Sequence, residues 1–138
     1  LSYGHKQREG TRVQLVTTDD PILHHVCRSD STVSLDEIRQ MFRLMREQNG
    51  LGLAAPQVGI DARLFVTDWG EIFVNPQIVQ HHGTWCMDEG CLSLPGITRR
   101  KQRHLNITLA DGRAYHGMQA VVIQHEINHL DGRLITDA

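Results

Sequence analysis

The chain has 138 residues, with 14 Lys and Arg against 16 Asp and Glu, a formal net charge of −2 and a pI near 6.5. That length builds one domain with a substantial core and excludes two, and so even a charge balance excludes an electrostatic grip on nucleic acid or an anionic membrane. Three cysteines at no scaffold spacing, no apolar run of membrane-span length and no apolar signal core point to a soluble, cytoplasmic protein, with an organelle left open.

Residues 1–11 are polar and begin at Leu1 rather than methionine, so they read as a flexible leader or an added remnant, and residues 12–138 as a single domain. From Thr11, Val13 and Leu15 alternate with polar residues, which predicts a short strand, and Asp19-Asp20-Pro21 then predicts a turn. His24, His25 and Cys27 follow with no partner at ligand spacing. Ser34-Leu35-Asp36-Glu37 has the serine and glutamate of a capping box. It opens a helix with Leu35, Ile38, Met41, Phe42 and Met45 on one face, which Asn49-Gly50 closes.

Gly50 to Gly59 holds three glycines and a proline, so it reads as a loop whose backbone can approach another group closely. Arg63–Thr67 and Ile72–Val74 predict strands about a turn at Trp69-Gly70, and Gln77–His82 predicts another short strand. His81 and His82 are adjacent, so in a strand they face opposite sides and cannot easily share a cation. Ile97–Arg103 reads as a basic strand face. Leu105, Ile107 and Leu109 alternate as a strand, and Asp111-Gly112 turns the chain into Ala114–His116. The expected class is α+β, with short antiparallel strands packed around a buried C-terminal helix.

That helix is Met118–Leu130, MQAVVIQHEINHL, opened by Gly117 and free of proline. One apolar stripe runs Met118, Val121, Val122 into His125 and His129; a second runs Ala120, Ile123, Ile127, Leu130. Gln124, Asn128 and Asp131 fall on the remaining, polar side. Two histidines at i and i+4 lie on one helix face and can reach one metal ion. Glu126, following the first, can reach a water held by that ion and act as its general base.

A catalytic site of this kind normally takes three protein ligands and keeps one position open. A histidine six residues after His129 would complete one known pattern, but that position is Ile135, and downstream only Asp137 offers a carboxylate. The third ligand is therefore expected upstream, among Cys27, Cys86, Cys91, Glu89 and the histidines at 81, 82, 104 and 116. A peptidase would need the same helix. A non-catalytic module would close its metal with a fourth protein ligand such as Cys86.

Three segments narrow this: Gly50-Leu51-Gly52-Leu53-Ala54-Ala55-Pro56-Gln57, Glu89-Gly90-Cys91-Leu92-Ser93-Leu94-Pro95 and Gln124-His125-Glu126-Ile127-Asn128-His129-Leu130-Asp131-Gly132. Together, and in this order, they resemble the signature of the peptide deformylases over roughly residues 12 to 137. The resemblance implies a hydrolase that removes the N-formyl group from the initiator methionine of new polypeptides, releasing formate. It implies Cys91, His125 and His129 as metal ligands, with Fe(2+) as the native ion and Zn(2+) or Ni(2+) as substitutes.

Glu126 is then the general base, and the Gln57 amide and Leu92 N–H hold the oxyanion. An extended peptide lies beside Gly50, Leu51, Gly52, Glu89 and Gly90, with its first side chain in a pocket of Leu51, Met118, Val121 and Val122. Arg103 is expected to pair with Glu89 and steady the loop that carries Cys91. The implied partners are formylated peptides and nascent chains, met by a monomer in bacterial cytoplasm or, for a phage-encoded form, host cytoplasm. Two departures from the family stand out. Many bacterial members carry aspartate where Asn128 stands, on the polar side, with little effect expected. The chain also stops soon after Gly132, where typical members continue into a C-terminal helix, so a short form without stable ribosome docking is expected.

Overall fold

The structure is a computed structural model that describes residues 12–137; the leader expected over residues 1–11 lies outside them. Its helices are α1 (Leu35–Glu47) and α2 (Met118–Leu130). Strands β1 (Gly52–Ala54), β2 (Leu64–Thr67) and β3 (Ile72–Val74) form one antiparallel sheet in that order. β4 (Ile78–Cys91), β5 (Leu94–Leu109) and β6 (Ala114–His116) form a second.

All four residues of β2 are buried, and the two-residue period of a strand explains how. Leu64 and Val66 face one way and pack with Met41 and Met45 of α1 and with Leu53. Phe65 faces the other way, stacked on Phe73 at 4.6 Å between ring centroids, and meets Ala120, Ile123 and Leu130 of α2. The first sheet is therefore a middle layer between the two helices. Ile107 and Leu109 of β5 cover the same α2 stripe from the second sheet. α1 begins as predicted, with Ser34 Oγ accepting from the Glu37 N–H and the Glu37 side chain accepting from the Ser34 N–H. Leu35, predicted on its inner face, is instead 69% exposed.

Four expectations about the strands and loops change. Residues 13–17 form no strand; the Val13 N–H bonds the Gln40 side chain and the Val16 N–H bonds the Gln57 carbonyl, so a helix side chain and a loop take the place of a neighbouring strand. The glycine-rich stretch is not all loop: it contains β1 and a 3₁₀ turn at Ala55–Val58. The short strands expected at 77–82 and 97–103 are parts of β4 and β5, which run antiparallel from Ile78↔Leu109 to Cys91↔Leu94. Cys91 thus sits at the end of a strand rather than in a loop.

The fourth change concerns the polar side of α2. β6 pairs only with Asn106–Thr108, so the β5 edge before Asn106 has no strand beside it. Gln124 supplies the missing partner: its Oε1 accepts from the His104 N–H and its Nε2 donates to the His104 carbonyl, both at 2.8 Å. Gln124 is accordingly buried rather than solvated. The far end of α2 is tied down too. The Leu130 carbonyl accepts from the Cys27 N–H and from Arg63 Nη1, and Arg63 Nη2 pairs with Asp131.

Candidate active site

α2 presents His125 and His129 one turn apart, and the β4 terminus brings Cys91 against them. Cys91 Sγ lies 3.3 Å from His129 Nε2, which lies 3.1 Å from His125 Nε2. The Cys91, His125 and His129 donor atoms all fall within 4.8 Å of one another. Tetrahedral zinc, with Zn–N of about 2.0–2.1 Å and Zn–S of about 2.3 Å, spaces its donors by about 3.3–3.6 Å. The two separations at His129, 3.3 and 3.1 Å, lie close to that spacing.

The ring nitrogens make the same case chemically. Burial opposes ionisation of Glu89, but hydrogen bonds from Arg103 and His125 hold its pKa down to about 2. An ionised carboxylate can only accept, so His125 Nδ1 donates to Glu89 Oε1 at 2.9 Å and its Nε2 is left facing His129. Burial, together with the charges of His125 and Arg103, pushes the pKa of His129 well below the ordinary imidazole value. Two Nε2 atoms facing each other at this distance need either a hydrogen or a metal ion between them. A thiol as third donor favours the ion, since thiolate and imidazole are ligands for zinc and iron.

The other expected residues gather around this trio. Glu126 is buried, and its Oε1 has no hydrogen-bond partner among the described residues. Burial lifts its pKa to about 7, against the lowering effect of His125 and Arg103. Gln57 is 1% exposed and its amide orientation is set locally: Oε1 accepts from the Ala54 N–H at 2.9 Å, which turns Nε2 toward Cys91 Sγ at 3.5 Å and Ser93 Oγ at 3.4 Å. Leu92 begins the tight β4–β5 connection immediately after Cys91. Arg103 grips Glu89 with Nε and Nη2 at 2.9 and 2.8 Å, as expected.

A cavity of about 480 Å³ opens onto the site, and each residue predicted to bind substrate lines it. Gln57, Cys91, Leu92, His125 and Glu126 line it as well, whereas His129 closes the trio from behind. Leu51 and Met118 are half-exposed at the rim, and Val121 and Val122 are buried deeper. Sequence reasoning missed Met87, Ile97 and Thr98 in this wall. Met87 was legible in principle, two residues before Glu89 and so on the same strand face. Ile97 and Thr98 fall in an expected strand, but their place in the wall depends on the pairing of Thr98 with Gly90, which no local signal reveals.

Residues left out of the site stay out of it. His81 stacks on His104 at 3.7 Å in the other sheet region, and Cys86 is exposed and absent from the donor cluster. One expectation is corrected. Asn128 does not point to solvent: its Oδ1 accepts from Arg103 Nη1, because the β5 residue before His104 reaches under that turn of α2.

Comparison with known proteins decides the family. A family model described as polypeptide deformylase matches residues 13–138. The chain belongs to the polypeptide deformylase family. A peptide deformylase of Agathobacter rectalis is 39% identical over 132 residues, spanning 86% of this chain and 84% of that protein. The crystal structure of peptide deformylase from Thermotoga maritima superposes with a TM-score of 0.80 at 33% identity, over 89% of this chain and 94% of that one. A deformylase of the Vibrio parahaemolyticus bacteriophage VP16T, solved in complex with actinonin, gives 0.80 at 32% identity, over 88% and 99%. Like its family, the chain is a metal-dependent hydrolase that removes the N-formyl group from newly made polypeptides.

Proposed function

We propose that Cys91, His125 and His129 hold the metal of this deformylase, that Glu126 is its general base, and that Gln57 and Leu92 bind the oxyanion. The observation that carries this reading is the convergence of one sulfur and two ring nitrogens beside a buried, unpartnered carboxylate. A divalent ion held there supplies Lewis acidity, polarising the formyl carbonyl and bringing the pKa of water down toward neutrality. Thiolate and imidazole ligation suits Fe(2+) as the native ion, with Zn(2+) or Ni(2+) able to replace it.

Glu126, lifted toward neutrality by burial, is matched to take a proton from the attacking water and return it to the departing amine nitrogen. Gln57 Nε2 and the Leu92 N–H donate to the developing oxyanion, and losing one such donor costs about 10²–10³ in rate. The substrate backbone lies between the Gly50–Gly52 and Glu89–Leu92 segments, and its methionine enters the cavity past Leu51 and Met118. Arg103 steadies Glu89, and through it the ring of His125. The domain over residues 12–138 acts as a monomer on formylated peptides and nascent chains in the cytoplasm. No helix among the described residues is long and apolar enough to cross a membrane.

Formate release from formyl-Met-Ala-Ser tests the assignment. A chelator is expected to abolish it, and Glu126→Ala to keep the metal while losing about 10²–10⁴ in kcat. Full activity in Glu126→Ala, or turnover indifferent to chelator, would contradict these roles.

A further inference from the structure

A closed circuit of side chains runs behind the metal ligands. Arg103 and Glu89 are both buried, on neighbouring strands, but they are not opposite each other: Arg103 faces Trp85 in the register and Glu89 faces Arg99. The Arg103 side chain must therefore run along the strand face to reach Glu89, and its direction is a matter of choice among acceptors. Two of its nitrogens, Nε and Nη2, end on Glu89. The third, Nη1, ends on Asn128 Oδ1. Glu89 Oε1 in turn takes the Nδ1–H of His125, three residues before Asn128 on the same helix.

From this geometry we infer that Asn128 is a positioning residue for the metal ligand His125, acting through Arg103 and Glu89. Its carbonyl oxygen satisfies the one guanidinium edge that Glu89 cannot reach, so the fork stays in the plane that presents both Glu89 oxygens correctly. The Glu89 carboxylate then fixes the His125 tautomer and the direction of Nε2. Asn128 is uncharged, which leaves Glu89 as the sole counter-charge of Arg103 inside the circuit. An acceptor at this place, charged or not, occupies Nη1 and leaves the other two nitrogens on the carboxylate that orients the ligand. This rests on the proposed function, in which Cys91, His125 and His129 are the metal ligands.

The test measures Zn(2+) affinity of the full chain by competition with a chromophoric chelator, for Asn128→Leu and Asn128→Asp, each alone and combined with Glu89→Gln. Asn128→Leu is expected to weaken zinc binding about 10–100-fold, the usual effect of losing an outer partner of a ligand. In the Glu89→Gln background the same change should cost less than about threefold, because the circuit is already broken there. Asn128→Asp retains an acceptor and should stay within about threefold of wild type. Should the leucine variant not fold, Asn128→Ala, which adds no bulk against Arg103, carries the same measurement. Equal losses in both backgrounds, unchanged affinity in the folded leucine or alanine variant, or an aspartate variant as weak as leucine would each overturn the inference. A wild-type chain that takes up no zinc would instead overturn the ligand assignment beneath it.

Discussion

At the scale of single residues, Gly52 shows how closely the site is fitted. A Cβ built on it would lie 2.8 Å from Glu126 Oε2 and 3.0 Å from Cγ, in contact with the proposed base itself. Gly52→Ala is therefore expected to push the Glu126 carboxylate aside while leaving the donor trio in place. The predicted result is unchanged metal content with kcat lowered by roughly 10²-fold, the order of loss for a displacement of about 1 Å in a catalytic group. Normal kcat in Gly52→Ala would mean that Glu126 has room to spare. The convergence of Cys91, His125 and His129 was legible from sequence because the helix period places the two histidines together, and because the Glu-Gly-Cys segment marked Cys91. Asn128 was misread for a physical reason. Helix periodicity says which residues share a side, but not whether that side meets water or the bare edge of a strand.

At the scale of elements, the same limit explains the long β4–β5 pair. Its residues are mostly exposed on β4, so burial alternation, the main strand signal, is faint over half its length. The sequence shows strand character there only as separate pieces, at 77–82, 97–103 and 105–109, and not as one long pair. A tie between the two sheets also went unseen. Glu71, just before β3, accepts from Trp69 Nε1 at 2.6 Å, from the Tyr115 hydroxyl of β6 at 2.8 Å and from Arg113 at 3.1 Å. Burial raises the Glu71 pKa, but these donors outweigh it and leave it below the ordinary value of 4.5. A carboxylate depressed on folding stabilises the folded state above its unfolded pKa, and that contribution disappears as pH falls through the folded one. The stability gap between wild type and Glu71→Gln, followed by urea unfolding, should thus be full at pH 7 and close as pH drops below about 4.5. A gap that widens on acidification would contradict the tie.

At the scale of the whole molecule, the two sheets converge on one helix. β2 and β3 bury its Ala120–Ile123–Leu130 stripe together with β5, and the hairpin end of β4 delivers Cys91 to the other stripe. The sulfur and the ring nitrogens are separated by 34 residues or more along the chain, Cys91 from His125 and His129. Only the packing of both sheets on α2 brings them within bonding range of one ion. Cys91 and His125 also line the cavity, so the trio opens toward it.

X-ray absorption at the zinc edge of the zinc-loaded protein tests this most directly. The account predicts a first shell of one sulfur at about 2.3 Å and two imidazole nitrogens at about 2.0–2.1 Å, completed by a light atom from solvent. A shell without sulfur, or one closed by a second cysteine or a third histidine, would contradict it.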